Sequence, residues 1–304
     1  MNTAIREGGK LSAMATPTVR RLQLGKELAR LRARANVRVD QAAKAIEKTG
    51  PVISRLEHGE TGLRRLELRE LLEFYAERIA DGEPVDIEWF LEFNKGAENR
   101  GRWDGYRSVH AKWFRMAVDL EADADTIDIY QTELIFGLFQ TEDYMRSIFA
   151  PDSPNSASAH IDDFIGARLE RQKILSKSDA PDITVIFSES AIVRLNGTPK
   201  VMSDQLTHLV KLTENPNIQI HVLPFRSPRA PVDGSPFIQF RIPALDPNAP
   251  PLNFVYVETL TNAEYLDGNS ELAQYHKLWG GLLGASLDQA TSKDFLIRVA
   301  KEFR

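Results

Sequence analysis

At 304 residues, 42% of them hydrophobic and 27% charged, the chain has room for more than one core and the composition of a globular protein. It has no cysteine, which excludes disulfides, thiolate metal sites and a cysteine nucleophile and suits a cytoplasmic location, and no apolar run reaches the roughly 18 residues of a membrane span. The net charge of -5 is divided unevenly: residues 1–78 hold 16 Lys and Arg against 10 Asp and Glu, net +6, and the remainder 22 against 33, net -11, so only the N-terminal part suits a polyanion.

Residues 1–19 lack an apolar segment and read as a disordered arm rather than a secretion signal, with Met14 a candidate start. From Arg20 to Ala35, Leu24, Leu28, Leu31 and Ala35 recur at helical spacing, which predicts an amphipathic helix with Arg30, Arg32 and Arg34 on its other faces. Those three arginines form a candidate phosphate rail or a solvated face. A short second helix has Val39, Ala42, Ala43 and Ile46 as its buried stripe. After Glu47 and Lys48, Thr49 suits an N-cap and Pro51 the first turn of a third helix, which runs to His58 and stops at Gly59. A fourth helix carries Leu66, Leu68, Leu71, Leu72 and Tyr75.

Two short helices joined by a tight turn and braced by flanking helices predict a helix-turn-helix over residues 20–80, whose second helix enters the major groove of DNA. The run Ile53-Ser54-Arg55-Leu56-Glu57-His58-Gly59 resembles the ISR-hydrophobe-E-x-G signature that ends the recognition helix of phage-repressor-like (XRE) regulators. By that resemblance Ser54 and Arg55 face phosphate or base edges and Thr49 caps the recognition helix beside a phosphate; Glu57 itself reads as structural, paired with a neighbouring Arg. The chain departs from the pattern at Arg38 and Val39, where members carry Ser or Thr followed by Gln, and at Glu47, which replaces the turn glycine. Gly50, Pro51 and Val52 begin the third helix and bring almost no hydrogen-bonding side chains to the groove. Affinity is therefore expected to come largely from backbone contacts by Lys44, Lys48, Arg55, Arg64 and Arg65.

Gly82-Glu83-Pro84 breaks the chain, and residues 81–102 read as a connecting helix (87–93) and linker. Branched and aromatic runs at 127–131, 183–187, 218–223, 237–242 and 254–257 predict strands, and helices are expected at 158–176, 200–214, 269–283 and 287–303. Helices outnumber strands and alternate with them irregularly, so residues 103–304 are expected to form an α+β domain with a mixed sheet behind the all-α head. The phrases Gly137-Leu138-Phe139-Gln140-Thr141, Ala167-Arg168-Leu169-Glu170-Arg171-Gln172 and Val222-Leu223-Pro224-Phe225, in that order, resemble the long C-terminal domain of a family of XRE regulators abundant in actinomycetes. The resemblance implies a transcriptional regulator, a homodimer, whose gene often sits beside one for a small partner protein in a toxin–antitoxin-like arrangement.

Chemistry is not signalled. The six histidines form no HExxH and no i, i+4 pair, and GxGxxG, GxxxxGK[ST] and GxSxG are absent, so no metal, cofactor or catalytic site is expected. Arg168 and Arg171 read as a salt-bridged helix surface, Glu189 as a first-turn acid, and Trp103, Tyr106, Trp113 and Phe114 as a core or inter-domain patch. The function expected is a dimeric regulator that binds double-stranded DNA at half-sites ~34 Å apart, the body dimerising and receiving a small-molecule or protein signal. The alternative is an antitoxin-like protein that controls a small partner protein, with DNA binding secondary.

Overall fold

The computed structural model describes residues 19–80, 84–98, 114–149, 158–228, 230–231, 234–244 and 249–304. The expected N-terminal arm (apart from Val19), Trp103, Tyr106 and Trp113 lie outside them. In the head, α1 (Val19–Arg34), α2 (Val39–Ala45), α3 (Gly50–Glu57) and α4 (Arg65–Ala76) follow the apolar periodicity of the sequence. Leu24, Leu28, Leu31, Ala42, Ala43, Ile53, Leu56, Leu68, Leu71 and Leu72 fill one core. Leu66 is 73% exposed, so the stripe of α4 begins at Leu68.

Helix α5 (Ile87–Glu98), the element read as connecting, packs into this same core through Phe90 and Leu91. Its Ile87, Phe90 and Leu91 share one face at i, i+3, i+4 spacing. The buried Asn94 fixes the contact by donating from Nδ2 to the Leu63 carbonyl at 3.2 Å.

In the body, α6 (Arg115–Asp123) leads into β1 (Thr126–Gln131). Helices α7 (Glu142–Phe149) and α8 (Ser158–Gln172) cross to β2 (Asp182–Ser188), and α9 (Glu189–Val193) and α10 (Pro199–Leu212) to β3 (Ile218–Leu223). There follow β4 (Phe237–Ile242), β5 (Leu252–Glu258), β6 (Ala263–Leu266), α11 (Asn269–Ala285) and α12 (Gln289–Glu302). The sheet order is β3-β2-β1-β4-β5-β6, parallel across β1–β3 and antiparallel from β1 through β4, β5 and β6. It is thus the mixed sheet anticipated from the sequence.

The period of two along the strands divides the body into two layers. Ile127 and Ile129 of β1 face the main core with Leu120 of α6, Leu206 of α10 and Leu296 and Val299 of α12. Tyr130, Ile186, Phe237 and Val255 face the other way, into a smaller cluster with Trp279 and Leu282 of α11. Strand β6 escaped the sequence reading because it is four residues long and buries only Tyr265.

Candidate nucleic-acid interface

The turn between α2 and α3 is built to present α3 outward. Buried Ile46 anchors it, and Glu47 takes φ 54°, the left-handed conformation that glycine occupies at less cost. The amide of Lys48 returns to the Ala43 carbonyl at 2.8 Å. Thr49 has N-cap geometry (φ -107°, ψ 155°), but its hydroxyl accepts no helix amide, so the side chain stays open to an external partner.

On α3, Ile53 and Leu56 point into the core, while Pro51, Ser54, Arg55 and His58 are exposed at i, i+3, i+4 and i+7, a single outward strip. His58 was not singled out in the sequence. Its Nδ1–H donates to the Ser54 carbonyl at 2.7 Å, which turns Nε2 away from the backbone. Gly50 and Val52 flank the strip half-buried. The sequence signal for His58 was its place one turn beyond Ser54 and Arg55.

Two close contacts seat α3 against α1. A Cβ on Gly25 would lie 2.5 Å from the Leu56 carbonyl oxygen and 2.7 Å from that of Glu57, so no larger residue fits this crossing. Gly59, at φ 70°, ends α3 with its Cα against the backbone of Leu22. Glu57 then receives a two-pronged ion pair from Arg32, at 2.6 Å from Nε and 2.9 Å from Nη2, and Arg32 Nη1 also donates to the Val37 carbonyl at 3.0 Å. Glu57 is therefore structural, as the sequence suggested. Arg32 cannot serve a phosphate rail, and Arg30 lies 3.6 Å from Glu27.

The expected phosphate-binding cations divide into two groups. Lys44 and Arg55 are exposed and, among the described residues, have no carboxylate partner. Lys48 instead pairs with Glu67 at 2.8 Å, and Arg64 approaches the same carboxylate at 3.7 Å. Lys48, and then the Arg64 amide, hold Glu67 below the usual carboxylate range. Arg65 meets Glu88 and Glu92 of α5, each at 3.2 Å, and Arg69 meets Glu88 at 2.5 Å. A phosphate at Arg65 must compete with two carboxylates.

Two of the phrases that carried the resemblance in the body, 137–141 and 167–172, form a polar clamp with Gln205 of α10. Gln205 donates to the Phe139 carbonyl and accepts from the Thr141 amide, both at 2.7 Å, and Gln172 donates to the carbonyls of Gly137 and Gln140. Arg168 donates to Gln140 Oε1 and lies over the Phe149 ring; burial, then neighbouring Arg171, lowers its pKa to about 10. Arg171, 3% exposed, pairs through Nη2 at 2.6 Å and Nε at 3.0 Å with Glu121, 2% exposed. The expectation of a solvated, salt-bridged face at these arginines is thus overturned. The counter-ion stands 50 residues earlier, on α6. Glu189 does lie in the first turn of α9, and it also accepts the Phe225 amide at 2.8 Å.

No group of three or more His, Cys, Asp or Glu suited to a metal occurs among the described residues, and none of their helices is long and apolar enough to cross a membrane. A helix-turn-helix domain model matches residues 23–79, and a model described as a domain of unknown function (DUF5753) matches residues 114–298. No curated protein and no solved structure matches the chain.

Proposed function

The chain belongs to the family defined by that C-terminal domain of unknown function (DUF5753), and we propose that this member is a sequence-specific transcriptional regulator. It carries a helix-turn-helix domain at its N-terminal end. Two copies of the chain bind double-stranded DNA, each laying α3 in the major groove at half-sites about 34 Å apart. The body holds the dimer together and receives a small-molecule or protein signal. On this reading the protein acts in the cytoplasm, needs no cofactor and is not an enzyme. The observation that carries it is the outward strip of α3 with its exposed Ser54 and Arg55, together with the exposed Lys44 of α2, which has no carboxylate partner among the described residues.

Phosphate contacts give affinity and base contacts give preference, so the strip assigns different tasks to its members. Arg55 is the one side chain on it able to make a two-pronged contact to guanine, a contact worth about 1–3 kcal/mol of discrimination. The test is fluorescence anisotropy with the DNA upstream of the gene and a scrambled duplex, at two salt concentrations. Tighter binding to the upstream DNA that survives higher salt supports a sequence-specific regulator. In that setting Arg55→Ala is expected to weaken upstream binding by about 5- to 150-fold and to narrow the gap between the duplexes. An unchanged gap would remove Arg55 as a base reader. Equal, salt-sensitive binding by the parent protein would favour the second reading, an antitoxin-like protein that holds a small partner protein. The feature that favours that reading is the start of α3, where Gly50, Pro51 and Val52 offer no side-chain hydrogen bond.

A further inference from the structure

Helix α1 belongs to two cores at once. Leu24, Leu28 and Leu31 pack within the head, but Val19 and Leu22, each at most 2% exposed, belong to the main core of the body, where α1 lies against α6. Two polar contacts repeat this attachment on either side. Gln23 Nε2 donates to the Pro243 carbonyl, just beyond β4, at 3.1 Å. Lys26 Nζ meets Asp267, between β6 and α11, at 2.9 Å.

The same stretch of α1 touches the end of α3 backbone to backbone. Gly25 lies against the carbonyls of Leu56 and Glu57, and Leu22 against Gly59. Neither contact contains a side chain whose rotamer could absorb a shift. Leu22 thus has its side chain in the body and its backbone against the residue that terminates the recognition helix. Close-packed elements of this kind move together or not at all. On the body side, Asp267 lies two residues before the start of α11, the helix over the second face of the sheet.

We propose that α1 is the coupling element of the molecule: the body, gripping Val19, Leu22, Gln23 and Lys26, sets the position of α3 and with it the affinity of the head for DNA. A change in the body at β6 or α11 reaches α1 through Asp267, and α1 passes it to α3 through Gly25 and Gly59. Coupling of binding free energies is reciprocal, so DNA on the head must alter the body in return. The DNA side of this proposal rests on the DNA-binding reading of α3; the mechanical side does not.

The experiment uses the full chain and the Lys26–Asp267 pair, which is partly exposed and can be changed without opening a core. Asp267→Asn, Lys26→Glu and the swap Lys26→Glu with Asp267→Lys are compared with the parent by hydrogen exchange of the α1 and α3 amides and by anisotropy on upstream DNA. Each single variant is expected to raise exchange in both helices and to shift the dissociation constant about threefold or more, and the swap to move both readouts back toward the parent. DNA bound to the parent is expected to change exchange at residues 263–270. Unchanged α3 exchange in both single variants would overturn the proposal, as would a swap that restores nothing. Raised exchange with unchanged DNA affinity would overturn it equally. A parent that binds no duplex would sink the DNA-binding reading, while the exchange data would still decide the coupling.

Discussion

Replacing Gly25 by Ala tests the contact on which the placement of α3 depends. In an ordinary helix interior this change is stabilising, because Gly costs about 1 kcal/mol relative to Ala. In α1 the new methyl would stand 2.5 Å from the Leu56 oxygen, 2.7 Å from the Glu57 oxygen and 2.9 Å from the Glu57 carbonyl carbon. All three are backbone atoms. The Leu56 oxygen already accepts the Gly59 amide at 2.9 Å, and Arg32 clamps the Glu57 side chain, so the end of α3 cannot yield locally. Relief requires the helices to part by most of an ångström, and overpacking of this kind costs about 1–3 kcal/mol. Set against the propensity gain, the net expectation is a loss of up to about 2 kcal/mol, without the gain seen at an open site. Gly280→Ala and Gly284→Ala in α11 are the controls, since nothing lies within 4 Å of a methyl at either position. Each should gain up to about 1 kcal/mol. Urea unfolding followed by circular dichroism gives both signs in one series. If Gly25→Ala stabilises as the controls do, α1 and α3 are not in backbone contact and the coupling through α1 fails with it.

Lys44→Ala is expected to weaken binding to upstream and scrambled DNA alike and to lower the salt slope by about 0.9, the share of one phosphate; anisotropy titrations across salt concentrations measure both. Glu67→Gln releases Lys48 and Arg64 and should tighten binding to either duplex, with a steeper salt slope. Glu121→Gln leaves Arg171 as a buried, uncompensated cation and should cost about 3–5 kcal/mol in denaturant unfolding of the body. Burial raises the Asp128 carboxyl to about 6, partly opposed by His276. The folded state then holds the proton more tightly than the unfolded one, so the contribution is full below about pH 4 and is lost as pH rises through about 6. Allowing for partial exposure, about 1–2 kcal/mol should disappear over that window, and Asp128→Asn should flatten that part of the stability-versus-pH curve.

What the sequence disclosed and what it withheld divide by range. The spacing of Leu24, Leu28 and Leu31, the Thr49–Pro51 start and the Gly59 stop are local signals, and the helices they specify form where expected. The branched and aromatic runs that became β1 to β5 are also local signals, since such residues fit a pleated, partly buried surface. Arg171 was misread for the opposite reason. With Glu170 beside it, the residue has the pattern of an exposed helix face, and only folding reveals Glu121 as its counter-ion. Helix α5 shows an apolar face in the sequence without showing which core receives it. Val19, Leu22 and Lys26 lie on the face of α1 opposite the Leu24, Leu28 and Leu31 stripe, and nothing local indicates that this face serves the body.

The charge of the head also has to be reread in the folded chain. A net +6 over residues 1–78 suggests a broad phosphate-binding surface. Yet Arg32 holds Glu57, Arg38 pairs with Asp40, Lys48 and Arg64 share Glu67, and Arg65 and Arg69 are occupied by α5. Along α2, α3 and the first turns of α4, among the described residues, Lys44 and Arg55 are the cations left for DNA. With Arg55 assigned to a base, Lys44 is left as the phosphate contact among these cations, so one head has a salt slope of only about 1 and binds weakly. On the dimeric reading proposed above, affinity is gained by pairing two heads on one duplex, which multiplies their separate affinities through effective concentration. On the proposed reading, this is the physical argument for placing dimerisation in the body: a head so self-neutralised gains from a second copy held at fixed spacing. The same economy explains why α3 is tied so firmly to α1. With few contacts to lose, a small displacement of the strip carrying Ser54 and Arg55 is enough to separate binding from release.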